Sequence, residues 1–215
     1  MKAWTYSHLD KYETCPKQFY HTSVAYDFRS QPTEATKWGE KVHTAFEHRI
    51  MSGTPLPEGM TQWEPIAKKL EALPGQKSVE GKIAITEHFT PAPWNAAWSR
   101  GIADLRIKHG KSAIVVDYKT GKRKPSEQLE LYTVYEFAHD PKLETVSTAY
   151  IWLKEKKIDK QTYTRADIPV IWQKLLPRVN KLKSAYERDT WSAKPSGLCK
   201  GWCPVTSCPH YKEKA

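Results

Sequence analysis

The 215-residue chain has no run of about eighteen apolar residues, so no segment reads as a membrane-spanning helix. The opening Met1-Lys2-Ala3-Trp4-Thr5-Tyr6 lacks the apolar core of a secretory signal. Together these lead to the expectation of a reducing, cytoplasmic compartment, that of a bacterium or of a phage-infected host, with no membrane partner. The nucleotide-binding pattern G-x-x-x-x-G-K-[ST] is missing, which argues against a helicase motor. Internal repeats and low-complexity tracts are also missing, which argues against a solenoid or a linker. Acidic residues are outnumbered, 24 against 34 Lys and Arg, leaving a net charge of +10. A surplus of that size attracts a polyanion through phosphate contacts and counterion release, although charge alone assigns no chemistry. Nine Trp and eleven Tyr add faces that can stack on unpaired bases, but most of them should lie in the core.

The length suits one hydrophobic core, and a single domain over residues 1–215 is expected. Near the N-terminus Ser7 reads as a helix cap for a short helix carrying Leu9 and Tyr12, which Cys15-Pro16 interrupts. From 34 to 51, Trp38, Val42, Ala45, Phe46, Arg49 and Ile50 recur every three or four residues, the signature of a helix with one stripe turned inward. His43 and Glu47 lie one turn apart beside that stripe. A second helix is expected over 61–72, stopped by Pro74-Gly75.

The period then changes to two. Ile83 and Ile85 alternate with polar neighbours on a strand whose continuation puts Glu87 on the same face. Ile102, Asp104 and Arg106 share one face of the next strand. On the strand 113–119, Val115, Asp117 and Lys119 share a face, with Ile114, Val116 and Tyr118 opposite. Pro125 and Ser126 open a helix on which Gln128 and Tyr132, four apart, project from one side. Strands over 145–153 and 157–165 precede a long amphipathic helix through Ile171, Leu175, Val179, Leu182 and Tyr186. The expected fold is therefore α/β: a mixed central sheet flanked by the helices that carry His43 and Tyr132.

Two neighbouring strands thus carry Asp104 on one and Asp117 with Lys119 on the other. Carboxylates on rigid strands supply the hard oxygen ligands that Mg2+ or Mn2+ requires, and a lysine two residues on can reach a phosphate or the attacking water. An Asp-x-Lys on a strand is commonly a solvent-facing pair. Here Ile114-Val115-Val116 is apolar on both faces before Asp117, so the carboxylate enters a buried strand and needs a partner.

The strings Gly101-Ile102-Ala103-Asp104 and Val115-Val116-Asp117-Tyr118-Lys119-Thr120-Gly121, with Gln128 and Tyr132 beyond, resemble the RecB-type branch of the PD-(D/E)XK nucleases. That branch includes the CRISPR-associated adaptation exonucleases. Trp38-Gly39-Glu40-Lys41-Val42-His43 resembles the branch's histidine-bearing helix, and Ser7-His8-Leu9 through Phe19-Tyr20 its N-terminal segment. The resemblance implies a restriction-endonuclease-like fold and a Mg2+- or Mn2+-dependent exonuclease that prefers single-stranded DNA or DNA ends. It implies His43, Asp104, Asp117 and the backbone carbonyl of Tyr118 as metal ligands, and Lys119 as the catalytic lysine. Gln128 and Tyr132 would support the site or touch DNA. Glu87 is the weakest candidate, a ligand or a surface glutamate. DNA is the implied partner, with recombination or replication proteins as further candidates; the oligomeric state is unread. The rival from another class is a DNA-binding or adaptor subunit of a recombination or repair complex that performs no turnover, although such a protein has no need of Asp104, Asp117 and Lys119 together.

Four cysteines in a reducing compartment argue against disulfides. Cys15 stands alone while Cys199, Cys203 and Cys208 cluster near the C-terminus, and Cys15, Cys203 and Cys208 each precede proline. Relatives with one N-terminal and three C-terminal cysteines carry a 4Fe-4S cluster, which the resemblance implies here, although the C-x3-C and C-x4-C spacings depart from the familiar C-x2-C start. Zn2+, with His210 as a substitute ligand, and plain reduced thiols remain open alternatives. A site joining residue 15 to the tail would close a very long loop and stabilise the fold by at most about 5 kcal/mol in the chain-entropy model.

Overall fold

The computed structural model describes residues 1–213. They form two compact units, one of Thr33–Ile171 and the other of Met1–Pro32 with the chain from Trp172 onward. In chain order the elements begin with helices α1 (Tyr6–Thr14) and α2 (Pro16–Phe19), a π-turn (Tyr20–Val24), α3 (Glu34–Ser52) and α4 (Glu64–Ala72). Strands β1 (Gln76–Ile85), β2 (Ser99–His109) and β3 (Ser112–Lys119) follow, then α5 (Gln128–His139), β4 (Thr145–Trp152), β5 (Lys157–Thr164) and α6 (Ile168–Arg188).

The larger unit is built on a five-stranded sheet of order β1-β2-β3-β4-β5. The pairs β1–β2, β2–β3 and β4–β5 are antiparallel and β3–β4 is parallel. Parallel neighbours require a crossover, and α5 provides it. This mixed α/β sheet flanked by helices is a restriction-endonuclease-like fold. Under one face lies a core in which Val42, Phe46 and Ile50 of α3, with Ala67 and Leu70 of α4, meet Leu105, Ile107, Val116, Tyr118 and Ile151. The Thr33 hydroxyl caps α3 by accepting the amide of Thr36, and Gly53 ends it with the positive φ that a left-handed cap requires. Arg49 is buried on α3, bonded to Glu64 of α4 at 2.6 Å and facing Glu71 at 2.8 Å, so its charge leaves water only in paired form.

On the other face Glu136 of α5, 1% exposed, accepts from Arg106 of β2 through both Nε and Nη2, and Lys108 approaches at 3.7 Å. That bidentate pair fixes α5 against the strand that bears Asp104.

In the smaller unit, the guanidinium of Arg178 on α6 holds Glu13 of α1 at 2.7 and 2.8 Å. Phe19 packs edge-on against Tyr186 and at a tilt against Trp191.

Four local expectations are corrected. Thr5, not Ser7, caps α1: its extended backbone lets its hydroxyl accept the amide of His8, while Ser7 lies inside the first turn. Trp38 belongs to the α3 stripe by spacing yet keeps 39% of its surface exposed, because it rests on Trp63 rather than on the sheet. The helix after Pro125 starts at Gln128, whose amide bonds to the Ser126 hydroxyl at 3.3 Å. Strand β1 ends at Ile85, and Glu87 lies in the turn closed by the Thr86–Thr90 backbone and hydroxyl bonds.

Replacing Glu136 with alanine strands Arg106 beside a closed interface and is expected to cost about 3–5 kcal/mol in denaturant unfolding. The double replacement Glu136→Leu with Arg106→Met should cost clearly less than the single one. Equal losses would show that packing, not pairing, holds α5.

Candidate active site

The β2–β3 ladder begins at Leu105↔Val116 and runs toward the hairpin turn. The pair that would follow in that register is Asp104 and Asp117, and there the ladder stops. The strands part, and the Asp104 carboxylate enters the gap, where its Oδ2 accepts the backbone amide of Tyr118 at 2.6 Å. On the other side of Asp104 the β1–β2 register has Val79↔Leu105 and Gly81↔Ala103, which puts Glu80 opposite Asp104. Three carboxylates from three consecutive strands therefore stand in one row: Glu80, Asp104 and Asp117. Glu80 takes a left-handed backbone conformation, φ 45°, costly for a side chain with a Cβ and characteristic of functional positions.

Helix α3 adds His43, whose Nδ1 lies 3.2 Å from Asp104 Oδ1 and 4.0 Å from Glu80 Oε1. His43, Glu80 and Asp104 each offer a ligand atom within 4.8 Å of the others, the spacing of a cation site. Asp117 is nearly buried, and its Oδ2 has no hydrogen bond of good geometry although the Lys119 ammonium faces it at 2.7 Å. A buried carboxylate oxygen left short of donors is what a divalent ion would satisfy. Lys119 also donates to Gln128 Oε1 at 3.2 Å and lies 5.8 Å from the centre of the Tyr150 ring. The Tyr132 hydroxyl donates to the carbonyl of Ile102 at 2.8 Å. Gly101 makes that approach feasible, because a Cβ there would fall 2.5 Å from the Tyr132 oxygen.

The electrostatics follow from this crowding. Burial, and then the charge of Asp104, push the Asp117 carboxyl up to about 7 against the pull of Lys119. Burial and Asp104 also raise Glu80. Burial opposes charge on His43, but its hydrogen bond to Asp104 and the surrounding carboxylates overcome that and hold its pKa up. The site gathers three acidic groups, His43 and Lys119 in one place.

A model of the PD-(D/E)XK nuclease superfamily matches residues 3–209. The chain belongs to that superfamily. Membership implies a metal-dependent nuclease with DNA as substrate, and PD-(D/E)XK nucleases use divalent metals. Among solved structures, the one titled "Crystal structure of SSO0001" is similar, with 15% sequence identity and a TM-score of 0.50. The match covers 99% of this chain and 89% of that one, and at such identity it speaks for the fold alone. No curated protein matches the chain.

Within this PD-(D/E)XK fold the structure brings together His43, Asp104, Asp117, Lys119, Gln128 and Tyr132, with the Tyr118 backbone beside Asp104. It leaves Glu87 in its exposed turn, and Glu80 stands in the acidic row instead. Glu80 escaped the pattern reading because Glu80-Gly81 looks like punctuation between segments. The available signal was the hairpin: counted back from Ile85↔Ser99, Glu80 faces Asp104.

Asp117, Glu80 and His43 hold their protons more tightly folded than unfolded, so each stabilises the fold while protonated. That contribution fades as pH rises, for Asp117 between the ordinary carboxylate range and about 7. In chelator the melting temperature should fall from about pH 5 to about pH 8, and Mn2+ should raise it more at the higher pH. A melting temperature indifferent to both would contradict a cation site here.

Proposed function

We propose that the chain is a Mg2+- or Mn2+-dependent DNA exonuclease of the RecB-type branch, hydrolysing phosphodiester bonds of single-stranded DNA or DNA ends, with residues 1–215 working as one nuclease domain. The observation that carries this is the row Glu80, Asp104, Asp117 across three adjacent strands, with Lys119 at the end of the third. Asp104, Asp117 and His43, aided by the Tyr118 carbonyl and by Glu80, are the proposed metal ligands; Glu87 has no part in this reading. A divalent ion there supplies a lowered pKa for water and a counter-charge for the phosphate. Lys119, beside Asp117, is placed to stabilise charge growing on the scissile phosphate. Gln128 orients the Lys119 ammonium, and Tyr132 ties α5 to the strand that carries Asp104. The acidic row together with this lysine favours turnover over the adaptor reading. A cytoplasmic site of action and recombination or replication proteins as partners belong to the same proposal.

For the cysteines we propose a 4Fe-4S cluster held by Cys15, Cys199, Cys203 and Cys208. All four fall in the smaller unit and none is in a disulfide. Burial raises the Cys203 thiol against the backbone hydrogen bond of Val205, and Cys15, Cys199 and Cys208 add to the rise. Two sulfurs already accept amides, Cys15 from Lys194 at 3.4 Å and Cys199 from Ser196 at 3.5 Å, a pattern suited to thiolate ligands. Zinc is the alternative, and His210 is exposed.

With Mn2+ and end-labelled DNA, the wild-type protein is expected to degrade linear single strands faster than duplex and to spare closed circles. Asp117→Ala and Lys119→Ala should each lose at least about a hundredfold in rate. Identical behaviour of all three proteins would defeat the catalytic assignment. Separately, anaerobically purified protein should contain iron and acid-labile sulfide, and Cys203→Ser should lose both and melt lower; zinc in their place would select the alternative.

A further inference from the structure

Trp38 is poorly explained by packing. It lies on α3 next to Gly39, and a Cβ on Gly39 would sit 3.6 Å from the hydroxyl of Thr120, the residue after Lys119. The first turns of α3 are thus held against the end of the strand that bears Asp117 and Lys119. His43 follows Trp38 by five positions, about 7–8 Å along the helix axis and about 140° round it, so the two side chains leave different sides of α3.

The indole is supported from below. Trp63, 6% exposed, lies 6.3 Å away centre to centre, and its Nε1 is pinned to the Leu153 carbonyl at 3.0 Å. Gly59 leaves its Cβ position 4.0 Å from the edge of the Trp38 ring. The remaining surface, 39% of the residue, is open to solvent. It borders a cleft of about 330 Å³ shared with Thr120, Lys154 and Lys156, at the small end of ligand-sized pockets. The two lysines stand on the turn between β4 and β5, both exposed, with Lys156 at a left-handed φ of 52°. Glu155 between them is engaged elsewhere, accepting the amide of Arg123 at 3.0 Å. A part-exposed indole packed at a tilt on a pinned neighbour, with two lysines lining the same cleft, matches the chemistry of an unpaired nucleotide: a base to stack and a phosphate to neutralise.

We propose that Trp38 is the platform on which an unpaired base of the DNA strand stacks beside Thr120, at the end of the strand that bears Asp117 and Lys119, with Lys154 and Lys156 on the neighbouring phosphates. This rests on the nuclease reading above and adds to it a source of strand preference. A base pair inside a duplex presents no free face to Trp38, so the platform favours single strands over internal duplex.

The test reads binding without cleavage. The full chain, with Ca2+ in place of Mn2+, is titrated with single-stranded oligonucleotides carrying 2-aminopurine at one of the last positions from either end, and with the matching duplexes. Stacking quenches the probe. The wild-type protein should quench at one or more positions, whereas Trp38→Ala should lose the quench and weaken single-strand binding about tenfold, with duplex binding unchanged. Trp38→Phe should retain part of both. The Lys154→Gln, Lys156→Gln pair should keep the quench but flatten the dependence of log affinity on log salt by about 1.4. Full quenching by Trp38→Ala overturns the proposal. Equal loss in Trp38→Ala and Trp38→Phe, with melting temperatures lowered to the same extent in both, also overturns it by showing that the indole serves packing. If the nuclease reading fails instead, wild-type protein will not cleave with Mn2+, and that result is independent of the quenching measured in Ca2+.

Discussion

The site depends on the burial of acidic groups beside Asp104: burial, and then the charge of Asp104, raise both Asp117 and Glu80. Two such charges 4 Å apart repel by about 4 kcal/mol at the effective dielectric of a protein surface, and a third raises the cost. Strand register brings Glu80, Asp104 and Asp117 into that row whether or not they are comfortable there. The structure responds by ending the β2–β3 ladder before the Asp104–Asp117 pair, by giving Asp104 the Tyr118 amide, and by setting Lys119 and His43 against the remaining charge. The Asp117 carboxyl is raised first by burial and then by the charge of Asp104.

That residue of strain is useful to a nuclease. A cation site whose own counter-ions satisfied it fully would have little affinity for a divalent ion, and one on mobile loops would relax outward before binding. Here the acids are held by elements that cannot yield easily: a core of α3 and α4 beneath one sheet face, and the Arg106–Glu136 pair clamping α5 to the other. Charge repulsion is thereby stored against a rigid support, at a cost in stability that a bound ion would offset. Gly101 serves the same end, since only a residue without a side chain admits the Tyr132 ring so close to the strand that bears Asp104.

The smaller unit follows a different logic. It holds none of the five strands, and among its contacts are the Glu13–Arg178 ion pair and an aromatic cluster of Phe19, Tyr186 and Trp191. Its four cysteines come from the two ends of the chain, so a metal or cluster bound by them would close the longest loop the molecule contains. A unit of that composition gains more from such a cross-link than the sheet unit would.

The alternation of residues 99–119 determined, without any structure, that Asp104 shares a face with Ile102 and Arg106, and that Asp117 shares one with Lys119. The three-to-four spacing of Val42, Phe46 and Ile50 likewise determined the helix that presents His43. These are properties of period, which a strand or helix sets through its own geometry. Which residues meet across strands is different, because it depends on register between segments that local pattern does not encode. Register brought in Glu80, whose turn-like Glu80-Gly81 surroundings hid it, and the hairpin turn at residues 86–90 took Glu87 out of the strand. Trp38 shows the same division: its spacing assigns it to the buried stripe, yet it packs on Trp63, brought by the 3-10 turn before α4, and keeps much of its indole exposed.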